Sequence, residues 1–200
     1  MKKMIFAIVA LLPVMAFAQD GKYTIQGTVG TYSAPAKIYL QAYVKGKTVT
    51  DSAVLKDGKF QFNGSIGNVP LNAYLVLNAK GTGVVYKDYK SLYIEKGTVT
   101  VISKDSLIHA SVDGTKTNRE NAAYEAALKP VYDEENALEA KQKTATPEQK
   151  NSEAYERENH KAEKALEAKE SAINKKFMQD NPDSYVSMGA LESYAYSADY

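Results

Sequence analysis

From Tyr23 to Asp113 apolar side chains recur at every second position. Ile38, Leu40, Ala42 and Val44 alternate cleanly, as do Phe60 with Phe62 and Val99 with Val101. Tyr23, Ile25 and Val29 belong to an earlier run; Val49 to Leu55, Tyr74 to Leu77, Leu92 to Ile94 and Leu107 to Val112 complete the series. Short period-two runs rich in Val, Ile, Tyr, Phe and Thr predict strands with one buried face. Turn residues separate them: Gly30, Lys45-Gly46-Lys47, Asp57-Gly58, Gly67-Asn68, Lys80-Gly81 and Lys96-Gly97. Asp57-Gly58 predicts a two-residue hairpin, because both turn positions take positive φ. About eight short strands over residues 19–114 predict an antiparallel β-sandwich or a small barrel.

Beyond Gly114 the period becomes helical. Thr117 and Glu120 have the spacing of a capping box. Tyr124, Leu128, Val131 and Leu138 share one helix face, and Pro130 predicts a kink or a split. Thr146-Pro147-Glu148-Gln149 opens a second helix with an N-cap, a proline at the first position and a closing Gln. Its apolar stripe of Tyr155, Ala162, Leu166, Ile173 and Phe177 steps by 7, 4, 7 and 4 residues. So narrow a seam suits one partner helix, which predicts an antiparallel helical hairpin. Asn181-Pro182 ends it, and Ser184 to Tyr196 predicts a third helix with Val186, Leu191 and Tyr194 as its apolar positions. The expected fold class is α+β: a β-domain over residues 19–114 and a helical region over 115–200.

The N-terminus follows neither period. Lys2 and Lys3 precede an apolar run from Met4 to Ala16, broken only by Pro13, and Ala16-Phe17-Ala18 follows. This pattern predicts a secretory signal peptide over residues 1–18, cut after Ala18. The run is too short to span roughly 30 Å of hydrocarbon. The expected location is therefore the periplasm or cell envelope, with no membrane span after cleavage.

Composition narrows the chemistry. The 200 residues hold 25 Lys and Arg against 24 Asp and Glu, with no Cys, no Trp and two His. A net charge of +1 supplies no field for nucleic acid. The total hides a division, with +4 over residues 20–114 and −5 over 115–200. With no Cys the chain has no thiolate, Cys-based zinc site, iron–sulfur cluster or lipid-anchored cysteine. The aromatics are 15 Tyr and five Phe.

Few side chains suggest a site. His160 has Glu156 and Glu163 on one helix face, a weak metal set that reads more simply as a solvated surface. His109, in a predicted strand, has Ser106 and Ser111 nearby but no second His or Cys. A general base would also need an orienting partner and a nucleophile. Asp133-Glu134-Glu135 is a charged helical cluster. Tyr86, Tyr89 and Tyr93, interleaved with Lys87 and Lys90, form a candidate stacking surface for a sugar or nucleobase. No catalytic residue, cofactor or metal is expected.

Four motifs in order resemble a known family: Ile25-x-Gly27-x-Val29; Asp57-Gly58-Lys59-Phe60-x-Phe62-x-Gly64 with Pro70; Tyr93-Ile94-Glu95-x-Gly97-x-Val99-x-Val101; and Val112-x-Gly114-Thr115. They are similar to the domain of unknown function 4369, and Asn181-Pro182-Asp183-Ser184-Tyr185-Val186-Ser187 resembles the connector that follows it. In that family the domain usually precedes an envelope thioredoxin-like domain bearing a W-C-x-x-C motif. Here no Cys is present and the sequence given stops at Tyr200, which is the pattern of a fragment or a shortened relative. The resemblance implies a non-catalytic accessory module that docks a thioredoxin-like partner in cis or trans, dimerises, or recognises substrates. Leu166, Ile173 and Phe177 form the expected docking seam, with the third helix beside it. Two alternatives stand beside it: a free-standing periplasmic protein binding through its tyrosine-rich β surface, and a periplasmic holdase with charged helical arms.

Overall fold

The computed structural model describes residues 21–197; the predicted signal peptide lies outside the described residues. Eight strands form in chain order: β1 (Gly21–Val29), β2 (Lys37–Val44), β3 (Lys47–Val54), β4 (Lys59–Ile66), β5 (Leu71–Asn78), β6 (Tyr89–Ile94), β7 (Gly97–Ser103) and β8 (Ser111–Asp113). They make two four-stranded sheets, ordered β4-β1-β7-β8 and β3-β2-β5-β6. Both sheets keep free edges, so the architecture is an open sandwich rather than a barrel. Strands β1 and β7 run parallel, with Ile25 beside Val99, while the other pairs are antiparallel. The predicted antiparallel sandwich thus forms with this one parallel pair in it. The chain between β1 and β7 travels through the other sheet, so no hairpin dictates their direction.

The period-two pattern has its expected consequence. Ile25, Phe62, Val99 and Val101 from one sheet meet Ile38, Leu40, Leu75 and Leu92 from the other in one core. Fully burying each such side chain contributes roughly 1.5–3 kcal/mol before the entropy of ordering is counted.

Two of the predicted x-Gly turns behave differently. Lys45 (φ 49°) and Gly46 (φ 80°) make the two-residue hairpin that turns β2 into β3, with Val44 opposite Lys47. Asp57 (φ 50°) and Gly58 (φ 75°) also adopt the hairpin conformation, and Lys56 bridges Lys59. Yet this hairpin closes a single rung, because β3 and β4 belong to different sheets. The turn is a corner between layers. It is fixed there by the Gly58 N–H, which donates to the Tyr32 carbonyl at 2.6 Å.

Helix α1 (Lys116–Thr144) follows, then one turn α2 (Pro147–Lys150), α3 (Glu153–Asp180) and α4 (Val186–Ser197). Thr115, not Thr117, is the N-cap of α1. The predicted Thr117–Glu120 box does not form. Glu95, from the β6–β7 turn, accepts from the Thr117 N–H at 2.8 Å and its hydroxyl at 3.0 Å. A carboxylate from the sheet thus does the capping at the positive end of the helix. Glu120 instead accepts from the Ser184 hydroxyl at 2.7 Å.

Pro130 does not split α1, which stays helical through it. Leu128 and Val131 on either side are buried, and that packing offsets the missing N–H. The Thr146–Gln149 capping box forms as predicted, but Asn151 ends that turn and Ser152 caps α3 separately. Helices α1 and α3 form the predicted antiparallel hairpin: Tyr124 reaches Asn174, Glu134 meets Lys169, and Lys141 meets Glu158. In α4 Val186, Ser187 and Ala190 are buried, whereas the predicted Leu191 is exposed.

Candidate functional site

On β5 the residues Ala73, Leu75 and Leu77 point into the core, which turns Asn72, Tyr74 and Val76 to the opposite face, where Asn72 and Tyr74 are exposed and Val76 is fully buried. Register then fixes their neighbours. Gln41, Tyr74 and Ser91 lie in one row across the sheet, and Tyr39, Val76 and Tyr89 in the next. Tyr43 and Tyr93 occupy the same outer face by alternation along β2 and β6.

A sixth tyrosine is brought over this face by the β5–β6 loop. The Tyr39 hydroxyl donates to the Gly81 carbonyl at 2.8 Å and accepts from the Gly83 N–H at 2.9 Å. Asn78 donates to the Gly83 carbonyl at 2.7 Å. The loop so anchored places Tyr86 where its hydroxyl donates to the Gln41 amide oxygen, and the Gln41 amide nitrogen donates to Thr50 at 2.8 Å. The rings of Tyr74, Tyr86 and Tyr89 meet edge to face at centroid separations of 6.1, 6.2 and 5.7 Å, a favourable aromatic geometry. They remain 39%, 53% and 44% exposed respectively. Beside them a hollow of about 270 Å³ is lined by Gln41, Tyr43, Thr48, Asn72, Tyr74 and Tyr86.

Of the tyrosines expected from sequence, the fold brings Tyr86 and Tyr89 together. Tyr93 shares their sheet face but packs against Phe177 and its neighbours, and burial pushes its phenol pKa up. Tyr74, not singled out from sequence, completes the cluster. The alternation along β5 was the available signal, but the pairing of β5 with β2 and β6 was not visible in the chain. Lys90 alternates away from Tyr89 and pairs with Glu125 on α1 at 2.6 Å. That pair stands at a second cavity, of about 800 Å³, between the edge of β6, β8 and α1.

The expected docking seam is occupied by the chain itself. Leu166 and Ile173 are half-buried on the hairpin. Phe177 is 9% exposed, lies 4.7 Å ring to ring from Tyr124, and packs with Val186 and Ala190. Uncovered apolar surface lies one layer further out. Met188 and Leu191 on α4 are 68% and 55% exposed, with Tyr185 beside them.

His109 lies in a single 3₁₀ turn, Leu107–His109, not in a strand. Its Nδ1 is 3.0 Å from Asp105 Oδ2 and 3.2 Å from the Ser106 hydroxyl. Both partners use one ring nitrogen, so the imidazole does not bridge an acid to a nucleophile. The hydrogen bond from His109 holds the Asp105 carboxyl below its usual range. His160 is exposed, and among the described residues no group of three or more His, Cys, Asp or Glu is placed to hold a metal. Nor, among the described residues, is any helix long and apolar enough to cross a membrane.

Residues 23–121 match the family described as Domain of unknown function (DUF4369). No curated protein matches the chain. Among solved structures, the type VI secretion lipoprotein TssJ1 from Pseudomonas aeruginosa is similar at 9% identity, covering 48% of this chain and 98% of that one, with a TM-score of 0.33. The CBM25-1 module of a beta/alpha-amylase from Paenibacillus polymyxa is similar at 15% identity, covering 50% and 97%, also with a TM-score of 0.33. Likeness at this level carries no functional information.

Proposed function

Taking residues 23–121 as a member of the DUF4369 family, we propose that this protein is a non-catalytic accessory module, exported to the cell envelope, that docks a thioredoxin-like thiol–disulfide oxidoreductase domain in cis or in trans. One observation carries the docking role: α4 is apolar on two sides. Val186 and Ala190 are buried against Phe177, while Met188 and Leu191 stay exposed. A helix apolar around most of its surface is normally covered on both sides. Here one side packs on the chain's own α3 and, less extensively, α1, while Met188 and Leu191 remain exposed.

Disulfide exchange needs a thiolate, and the chain has no Cys, so the partner supplies the redox chemistry. The module's share is position and selection.

A photo-crosslinking residue at Met188, introduced in producing cells, tests this. The expected adduct is with a protein or domain carrying a W-C-x-x-C motif. Adducts with the chain alone, or only with proteins lacking that motif, overturn the reading. Thiol reductase activity of the purified chain would overturn it too.

A further inference from the structure

We propose that the outer face of the β3-β2-β5-β6 sheet binds a neutral carbohydrate chain. This site shares no residue with the α4 surface, and it stands or falls independently of the docking role.

Charge selects the ligand class first. Charged residues make up 24% of the chain, yet the hollow beside Tyr74 and Tyr86 is lined by none. Across the sheet, the Thr50, Gln41, Tyr74, Ser91 row is also uncharged. On β2 and its turn, charge sits toward the rim, at Lys37, Lys45 and Lys47, and on the loop Lys87 and Asp88 separate Tyr86 from Tyr89. An ionic ligand would lose hydration on this face without gaining a counter-charge. A neutral one incurs no such cost.

The remaining chemistry is of two kinds. Half-exposed phenol rings offer flat apolar faces, which suit the C–H faces of a sugar ring. Around them the Asn72 amide and the Thr48 hydroxyl border the hollow and suit hydroxyl groups. An aromatic platform edged by amides and hydroxyls matches a ligand that is apolar on its faces and hydroxylated at its edges. A neutral sugar fits that description better than an extended peptide, whose recognition on a sheet runs through strand edges rather than the sheet face.

The platform is also held in place before binding. Tyr86 is fixed by Gln41, Gln41 by Thr50, and the loop by Tyr39. Side chains ordered in advance lose little entropy when a ligand arrives. The face is open, so it suits one side of a long chain rather than an enclosed small molecule.

Affinity electrophoresis of the protein through gels containing β-glucan, xylan or galactomannan, with polygalacturonate as the anionic counterpart, tests the proposal. Retardation is expected with at least one neutral polymer. Tyr74→Ala and Tyr86→Ala should each weaken it about tenfold or more. Tyr86→Phe keeps the ring and should keep most of the retardation, which separates stacking from a folding defect. Met188→Ala should leave it unchanged. The proposal is overturned by mobility unaffected in all three neutral gels, by binding to polygalacturonate alone, or by retardation that survives both alanine substitutions. A tyrosine-dependent self-association or peptide interaction without carbohydrate binding also overturns it.

Discussion

Asn118, on the first turn of α1, clasps the backbone of Tyr93 on β6 at both of its polar groups. Its Oδ1 accepts from the Tyr93 N–H at 2.9 Å, and its Nδ2 donates to the Tyr93 carbonyl at 2.7 Å. An outer strand leaves such groups unpaired, and here a buried side-chain amide stands in for the missing neighbour. This contact fastens the helical layer to the sandwich. Asn118→Ala should therefore strand a buried N–H and C=O together, at a cost of about 2–4 kcal/mol. Urea denaturation followed by circular dichroism measures it, and a loss under 1 kcal/mol (on the order of an ordinary surface change) contradicts the role.

Tyr124 makes the fold sensitive to alkali. Its hydroxyl donates to Asn174 at 2.6 Å, and burial pushes its phenol up from 10.0 to about 12. Between those values the unfolded chain releases the proton while the folded chain keeps it, which favours unfolding. Its contribution is present below about pH 10 and is lost as pH rises toward about 12. The phenols of Tyr23, Tyr93 and Tyr132 are also raised and act with the same sign. Melting temperatures should fall steeply above about pH 10. Tyr124→Phe should start lower at neutral pH yet fall less steeply; an identical slope rules out this origin.

Gly58 and Gly67 separate a required glycine from a replaceable one. A Cβ at Gly58 would sit 2.2 Å from the Gly30 carbonyl oxygen, at a φ of 75° that side chains avoid. A Cβ at Gly67 would meet nothing within 4 Å. Gly58→Ala should cost at least about 2 kcal/mol, and Gly67→Ala should lie within about 0.5 kcal/mol of the parent. Equal melting curves for the two variants would contradict the corner geometry.

The α1–α3 hairpin is held by its apolar base rather than by its charged arms. Lys141–Glu158 and Lys169–Glu134 join side chains that are more than half exposed. Replacing either lysine by Met should change stability by about 1 kcal/mol or less. Phe177→Ala removes the ring between Tyr124 and α4 and should cost about 3–5 kcal/mol. Loss of protection of α4 amides in hydrogen exchange should accompany it.

The candidate surface was half legible in the chain. Tyr86 and Tyr89 stand close enough in sequence to attract notice, whereas Tyr74 and Gln41 join them only through strand pairing. The third helix was an expected docking element, but which of its faces stays exposed was not legible, for a related reason. Helical periodicity allowed Leu191 to face inward, and packing placed Ala190 there instead.

What the sequence by itself determined was local: strands, helices and turns, because alternation, capping and positive-φ residues act over a few neighbours. Lys45-Gly46 and Asp57-Gly58 show where that reach ends. Both adopt the hairpin conformation, and only the first joins two strands of one sheet. At the second, the alternating residues on either side bury equally well in either layer. The choice of layer rests on contacts from distant residues, such as Tyr32 and the strand β1 beside which β4 lies. Which tyrosines share a face, which helix surface stays uncovered, and which strand edge Asn118 closes follow from that choice. Contacts between residues far apart in the chain leave no period in the sequence, so only the tertiary structure decided them.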